Sequence, residues 1–255
     1  MSDFDIDHTS FAVHDALGWA RRLRRDLGAV PITGEVLAEF RYLLLHVGTA
    51  DTGGRLELLE PVGTDGFLSR FLASRGEGPH HLTFTVPDLH EAVRRVRALG
   101  MTVVGEDHEH PSWREAFIMP DPVHRTVIQL AQSDKSYPKP GELIGSTDRD
   151  PSASPSVAGA TDPLWWTPLW DTPAEGHGRL GATHLVSQDR DVSLRLFEGV
   201  LDAGVSERDG SLELTWPSGS IHLHSGDTPG ITGADLHGGS VEAVDIGSSR
   251  LQRHV

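Results

Sequence analysis

The fold is decided by residues 80–103, HHLTFTVPDLHEAVRRVRALGMTV. In HLTFTV the residues Leu82, Phe84 and Val86 alternate with His81, Thr83 and Thr85. Strand side chains have period two, so this run predicts a strand with one apolar and one polar face. Asp88 then starts an amphipathic helix whose stripe is Leu89, Ala92, Val93, Val96 and Leu99. Gly100 ends it, and MTV begins a return strand. The same order occurs in residues 7–30, DHTSFAVHDALGWARRLRRDLGAV. There the helix stripe is Ala16, Trp19, Ala20, Leu23 and Leu27, with Asp15 and Gly28 at its ends and Arg21, Arg22, Arg24 and Arg25 mostly on the solvated side.

The two copies are internal repeats, and repeats are read before other features. His8 stands 20 residues before Gly28, and His81 stands 19 before Gly100. Each copy ends in a strand with a central polar residue, RLELLEP with Glu57 and TVIQLAQ with Gln129. His8 to Glu57 is 49 residues and His81 to Gln129 is 48. All four polar residues fall on strand faces turned away from the helices. His80 falls on the opposite face to His81. The strands FRYLLLHV, MTVVGE and REAFIMP complete a βαβββ pattern in each copy. A third copy begins at residues 178–205, GRLGATHLVSQDRDVSLRLFEGVLDAGV, with His184 20 residues before Gly204 and His222 where Glu57 stands in the first. A fourth, GITGADLHG, SVEAVDIG and SRLQRHV, has strands but no helix and no histidine matching His81.

The expected fold class is therefore α+β: paired βαβββ modules forming half-open barrels, two such domains in one chain. Residues 1–133 form the first domain and 177–255 a degenerate second one. Between them, residues 134–176 are rich in Pro, Ser, Gly and Asp and read as a linker. Its Trp165, Trp166 and Trp170 are too apolar to stay in water; docking on a domain surface is the plain expectation, an active-site lid the sharper one. The degenerate domain is expected to pair with the first inside the chain, in place of or beside a homodimer.

Composition narrows the function. The chain has 255 residues, 15 His and no Cys, with 22 basic against 37 acidic side chains and a net charge of −15. No Cys means no disulfide, thiolate metal site or Cys nucleophile. The acidic balance argues against nucleic acid as a partner. No apolar run is long enough for a membrane span, and MSDFDIDHTS lacks the segments of a signal peptide, so a cytoplasmic protein is expected. Two imidazoles with a carboxylate and an amide suit a divalent transition metal with open positions for a small-molecule substrate. His8, Glu57, His81 and Gln129 are that candidate set. The metal type stays open among Fe, Mn, Co, Ni and Zn. His184 and His222 lack a third ligand in the sequence.

These motifs resemble the vicinal oxygen chelate superfamily, which includes glyoxalases, extradiol dioxygenases and antibiotic-resistance proteins. Residues 5–132 look most like the methylmalonyl-CoA epimerase family, through DHTSFAV, RLELLEP, FLSRFLASRGEGPHHLTFTVPDLHEAVRRVRALGMTVV and FIMPDPVHRTVIQL. The resemblance implies that His8, Glu57, His81 and Gln129 hold the metal. It also implies an epimerase or isomerase that polarises a carbonyl for proton transfer. The family's final-strand carboxylate is here Gln129, which cannot act as a base. Glu35 or Glu39 would then take the proton, or the chemistry differs. The alternatives within the same fold are an Fe(II) dioxygenase or glyoxalase-type lyase, and a metal-free small-molecule binding or resistance protein.

Overall fold

The structure is a computed structural model that describes residues 4–49, 51–110, 113–133, 165–208 and 210–253. Of the expected linker 134–176, residues 134–164 lie outside the described residues. The first module runs β1 (Asp5–Ala12), α1 (Ala16–Leu27), β2 (Val30–Val36), β3 (Phe40–Gly48) and β4 (Gly53–Pro61). A second helix, α2 (Phe67–Arg75), leads to the second module: β5 (Gly78–Thr85), α3 (Leu89–Ala98), β6 (Val103–Asp107), β7 (Arg114–Ile118) and β8 (Val127–Gln132). The third has β9 (Gly178–Ser187), α4 (Arg190–Phe197), β10 (Gly204–Arg208), β11 (Ser211–Trp216) and β12 (Gly219–Ser225). The fourth has strands alone among its described residues: β13 (Gly230–Gly238), β14 (Ala243–Ile246) and β15 (Ser249–Arg253).

The helices start where the sequence predicts. Asp15 accepts a hydrogen bond from the Gly18 amide at 2.8 Å, and Asp88 from the Glu91 amide at 3.0 Å. Asp189 caps α4 in the same way, accepting from the amides of Asp191 and Val192. Each carboxylate satisfies an amide that has no partner within the helix. Gly28 ends α1 in the left-handed conformation, φ 74°, and its N–H bonds the Arg24 carbonyl.

Two sheets result. One has the strand order β2-β3-β4-β1-β5-β8-β7-β6, the other β10-β11-β12-β9-β13-β15-β14. In the first, the middle four strands β4, β1, β5 and β8 carry Glu57, His8, His81 and Gln129 respectively. The second sheet repeats that order with one strand fewer, as the helix-less fourth module dictates.

The chain forms two compact units that interleave segments. One comprises residues 1–9, 80–135 and 182–234; the other comprises 10–79, 136–181 and 235–255. In the first unit, the second and third modules share one core. Leu82, Phe84, Val93 and Val96 pack with Leu196, Phe197, Leu214 and Trp216. Phe84 sits between two aromatic rings, 6.0 Å from Phe197 and 5.0 Å from Trp216. Burying such a side chain contributes about 1.5–3 kcal/mol. This shared core is what the intramolecular pairing of modules amounts to in physical terms: helix stripes that would otherwise face water cover each other.

In the second unit a smaller core joins Ala12, Tyr42, Leu59, Leu68 and Leu72. The tryptophan-bearing segment docks here. Trp166 is fully buried and its indole N–H donates to the Gly34 carbonyl at 3.1 Å. A Cβ at Gly34 would lie 2.7 Å from the Trp166 ring, so only glycine admits the indole. Arg41 lies over Trp165 and Arg24 over Trp170. Arg24 departs from the expectation of a solvated arginine face. It is 5% exposed, donating to the carbonyls of Thr172 and Ala29. Docking of the segment from Trp166 to Thr172 supplies what its guanidinium needs, and helical periodicity alone could not show that.

Candidate functional site

The polar strand faces are buried rather than open. His8 is 6% exposed, His81 6%, Gln129 7% and Glu57 9%. Buried polar groups require partners, and here they form chains of hydrogen bonds.

In the first compact unit, His8 and His81 face each other edge to face, ring centroids 5.9 Å apart, with ligand-capable nitrogens within 4.8 Å. Asp7 approaches His8 Nδ1 at 2.6 Å. The other ring nitrogen, Nε2, lies 2.9 Å from the Thr83 hydroxyl. Thr83 is fully buried and donates to Gln129 Oε1 at 2.8 Å. Register explains that contact, because Thr83 on β5 stands directly beside Gln129 on parallel β8. The Gln129 amide nitrogen in turn donates to Glu115 on β7 at 2.6 Å. Asp7, His8, Thr83, Gln129 and Glu115 are thus one continuous polar relay.

Glu115 was not singled out from the sequence. Its signal was the period of β7: Glu115 and Phe117 alternate with the buried Ala116 and Ile118, and Phe117 pairs with Gln129. The carboxylate therefore belongs to the same face as Gln129. His80 also differs from expectation. Strand alternation sends its Cβ away from that of His81, yet their Nδ1 atoms are 2.8 Å apart and the rings 5.1 Å. An imidazole is long enough to reach round the strand next to its neighbour.

In the second unit, Glu57 accepts a hydrogen bond from the Ser10 hydroxyl at 2.6 Å. Leu44 stands opposite Glu57, and Tyr42 opposite Glu35, so Glu57, Tyr42 and Glu35 share one face of β4, β3 and β2. Glu35 is fully buried and hydrogen-bonded to the Tyr42 phenol. Burial, followed by the charges of Glu35 and Glu57, pushes the Tyr42 phenol far above its ordinary range. Tyr42 is therefore a fixed proton donor on a face bearing two carboxylates. Glu39 is placed differently: it is exposed, in the turn joining β2 to β3.

Within the first compact unit, two imidazoles and an amide oxygen are donor types that suit a divalent cation. A carboxylate on one ring nitrogen of a histidine fixes its tautomer and leaves the other nitrogen to ligate, the usual support behind metal-binding histidine. Asp7 meets His8 Nδ1 in this way, while Nε2 is engaged by the Thr83 hydroxyl, a contact that a cation on Nε2 would displace.

The fold is one of paired βαβββ modules. The Glyoxalase/Bleomycin resistance protein/Dioxygenase superfamily model matches residues 7–117. No curated protein matches the chain. Among solved structures, a methylmalonyl-CoA epimerase from Streptomyces coelicolor in complex with 2-nitronate-propionyl-CoA is 27% identical, covering 52% of this chain and 97% of that one, TM-score 0.47. The methylmalonyl-CoA epimerase from Mycobacterium tuberculosis is 25% identical, covering 57% of this chain and 95% of that one, TM-score 0.47. A hypothetical protein from Staphylococcus aureus is 10% identical but covers 98% of this chain and 99% of that one, TM-score 0.60. That last likeness shows the same fold across the whole chain.

Proposed function

We propose that His8, Glu57, His81 and Gln129 hold one divalent cation and that the site is an epimerase or isomerase acting beside a carbonyl, with a 2-acyl thioester as substrate. The observation that carries this reading is the facing pair His8 and His81, whose ligand-capable nitrogens lie within 4.8 Å of each other and beside which Thr83 ties Gln129. Burial of all four donors supports it. When bound, the cation supplies Lewis acidity to the substrate carbonyl.

The remaining chemistry belongs to the chain. Glu35 is the base that removes the proton next to the carbonyl. Tyr42 stays protonated and orients the Glu35 carboxylate by donating to it. Gln129, tied between Thr83 and Glu115, offers a neutral oxygen and no base function. Glu39, in its exposed turn, takes no part.

The test is solvent deuterium exchange into methylmalonyl-CoA by the protein loaded with Co(II), Mn(II), Ni(II) or Zn(II). Exchange that disappears with chelation, with His8→Ala and with Glu35→Gln, but survives Glu39→Gln, is the expected result. No exchange with any of these ions overturns the reading. A second reading rests on the residue types His8, His81 and Glu57, since two histidines and one carboxylate also suit Fe(II) and O₂. Oxygen consumption by the Fe(II)-loaded protein with a catechol would select it.

A further inference from the structure

Gln129 is held by two neighbours of different chemistry, both within the first compact unit. Thr83 stands abreast of it on β5 and donates its hydroxyl proton to Oε1 at 2.8 Å. On β7, Phe117 stands abreast on the other side, and Glu115 is the diagonal neighbour, opposite Ala131. Diagonal neighbours on one sheet face are about 7–8 Å apart, within reach of two long side chains. There Gln129 Nε2 donates to Glu115 Oε2 at 2.6 Å. Glu115 is half-buried, on a strand whose other face, Ala116 and Ile118, lies in the core.

An amide can ligate a cation through its oxygen, while its nitrogen presents two donor hydrogens. The two ends are nearly the same size, so packing does not choose between them. Thr83 does not choose either, because a hydroxyl donates to an oxygen or accepts from an N–H equally well. A carboxylate accepts only. Turned round, Gln129 would set Oε1 against the Glu115 oxygens, acceptor against acceptor, and would lose a charge-assisted bond roughly twice as strong as a neutral one. Of its two hydrogen-bond partners, Glu115 is therefore the one whose chemistry admits a single orientation. A carbonyl oxygen has two lone pairs, so Oε1 keeps one beyond its bond to Thr83.

We propose that Glu115 is the positioning residue of Gln129: by engaging Nε2 it turns Oε1 to the side of Thr83, whose hydroxyl meets His8 at 2.9 Å, and so makes an amide serve as a metal ligand. This rests on the reading of Gln129 as a ligand. A carboxylate at that position would need no such partner, because its two oxygens ligate alike. Gln129 and Glu115 are thus one functional unit spread over β8 and β7.

The experiment compares the full chain with its Glu115→Gln, Glu115→Leu and Gln129→Leu variants. Zn(II) affinity is read by isothermal titration, with binding that persists in a His8→Ala, His81→Ala chain subtracted. The Gln129 side-chain amide is read in the metal-free proteins by proton–nitrogen NMR with labelled glutamine. The chain has four glutamines, so the Gln129 signal is the one that Gln129→Leu removes. In the parent protein, one Nε2 proton is expected downfield and slow to exchange. Glu115→Gln removes the charge but keeps an acceptor oxygen, and is expected to retain both that signal and the parent's affinity. Glu115→Leu is expected to lose the signal and to weaken Zn(II) binding by about 10–100-fold, with the circular dichroism spectrum confirming that the fold persists. A Glu115→Gln protein that binds as weakly as Glu115→Leu overturns the proposal in favour of a plain charge effect. A Gln129 signal unchanged by Glu115→Leu also overturns it, as does unchanged affinity in Glu115→Leu where Gln129→Leu weakens binding. A parent protein that binds no Zn(II), or a Gln129→Leu protein that binds it as tightly as the parent, overturns the reading of Gln129 as a ligand and the positioning role with it.

Discussion

Asp7 holds His8 by Nδ1 at 2.6 Å, so of the two ring nitrogens it is Nε2 that meets Thr83 on β5, at 2.9 Å. This one contact decides how His8 can act. A carboxylate behind an imidazole raises its basicity and fixes its rotation, which a ligand needs and a surface histidine does not. Replacing Asp7 by Asn is therefore expected to weaken metal binding at the first site by about 10–100-fold while leaving the thermal midpoint of the metal-free protein nearly unchanged. Isothermal titration with Zn(II) and Co(II) measures the first quantity and calorimetric melting the second. Equal metal affinity in the Asp7→Asn protein would show that His8 ligates nothing.

Gln129 and Glu115 give a second prediction. The amide donates to the carboxylate at 2.6 Å, and a Gln129→Glu substitution sets two carboxylates against each other there. Without metal, the variant loses about 1–3 kcal/mol near neutral pH, because the hydrogen bond is replaced by repulsion. A divalent cation neutralises the pair, so the rise in melting temperature on adding metal is expected to exceed that of the parent protein. A smaller rise would place Gln129 outside the metal's reach.

The pH dependence of stability follows from two buried histidines. His124 is 1% exposed and bonded to the Ser193 hydroxyl; burial lowers its pKa, against the opposing pull of Asp121 and Asp189. His46, 3% exposed with Nε2 on the Thr49 carbonyl, is lowered by burial too. A histidine whose folded pKa lies below its unfolded one binds fewer protons when folded. Its stabilising contribution is complete above the unfolded value of about 6.5 and is lost as pH falls through the folded value. Urea unfolding is expected to give lower stability at pH 5.5 than at pH 7.5. A His124→Gln variant is expected to show a shallower slope between them.

Trp166 anchors its segment on β2. Removing a fully buried indole by Trp166→Ala is expected to destabilise the protein by about 3–5 kcal/mol. Trp166→Phe keeps much of the apolar contact but leaves the Gly34 carbonyl without its donor, and is expected to cost about 1 kcal/mol from that loss. Denaturant titration separates the two variants. If the alanine variant is as stable as the parent, the segment contributes no binding energy to β2.

Much of this was legible in the chain. The repeat of His8 and His81 with Glu57 and Gln129 at matched offsets put one ligand-type residue on each of four strands, and Asp15 and Asp88 marked two helix starts. Side chains in local register obey short periods, and those periods can be read without a structure. Glu115, Asp7 and Thr83 were harder to find. Each acts through a partner that another strand or a neighbouring bond brings to it, and no spacing along the chain announces such a pair.

Sequence by itself determined the modules: a helix stripe of period 3.6, strands of period two and glycine stops recur three times with the same histidine at the head. Only the tertiary structure decided which modules share a core and which polar residues touch. The second and third modules bury Phe84 beside Phe197 and Trp216 although 113 residues separate Phe84 from Phe197. His224 joins His184 only because β12 lies parallel to β9 in one register. Periodicity is a property of consecutive residues, whereas register between distant strands is fixed by the packing of the whole face, and a shift of one residue would turn every side chain to the other side.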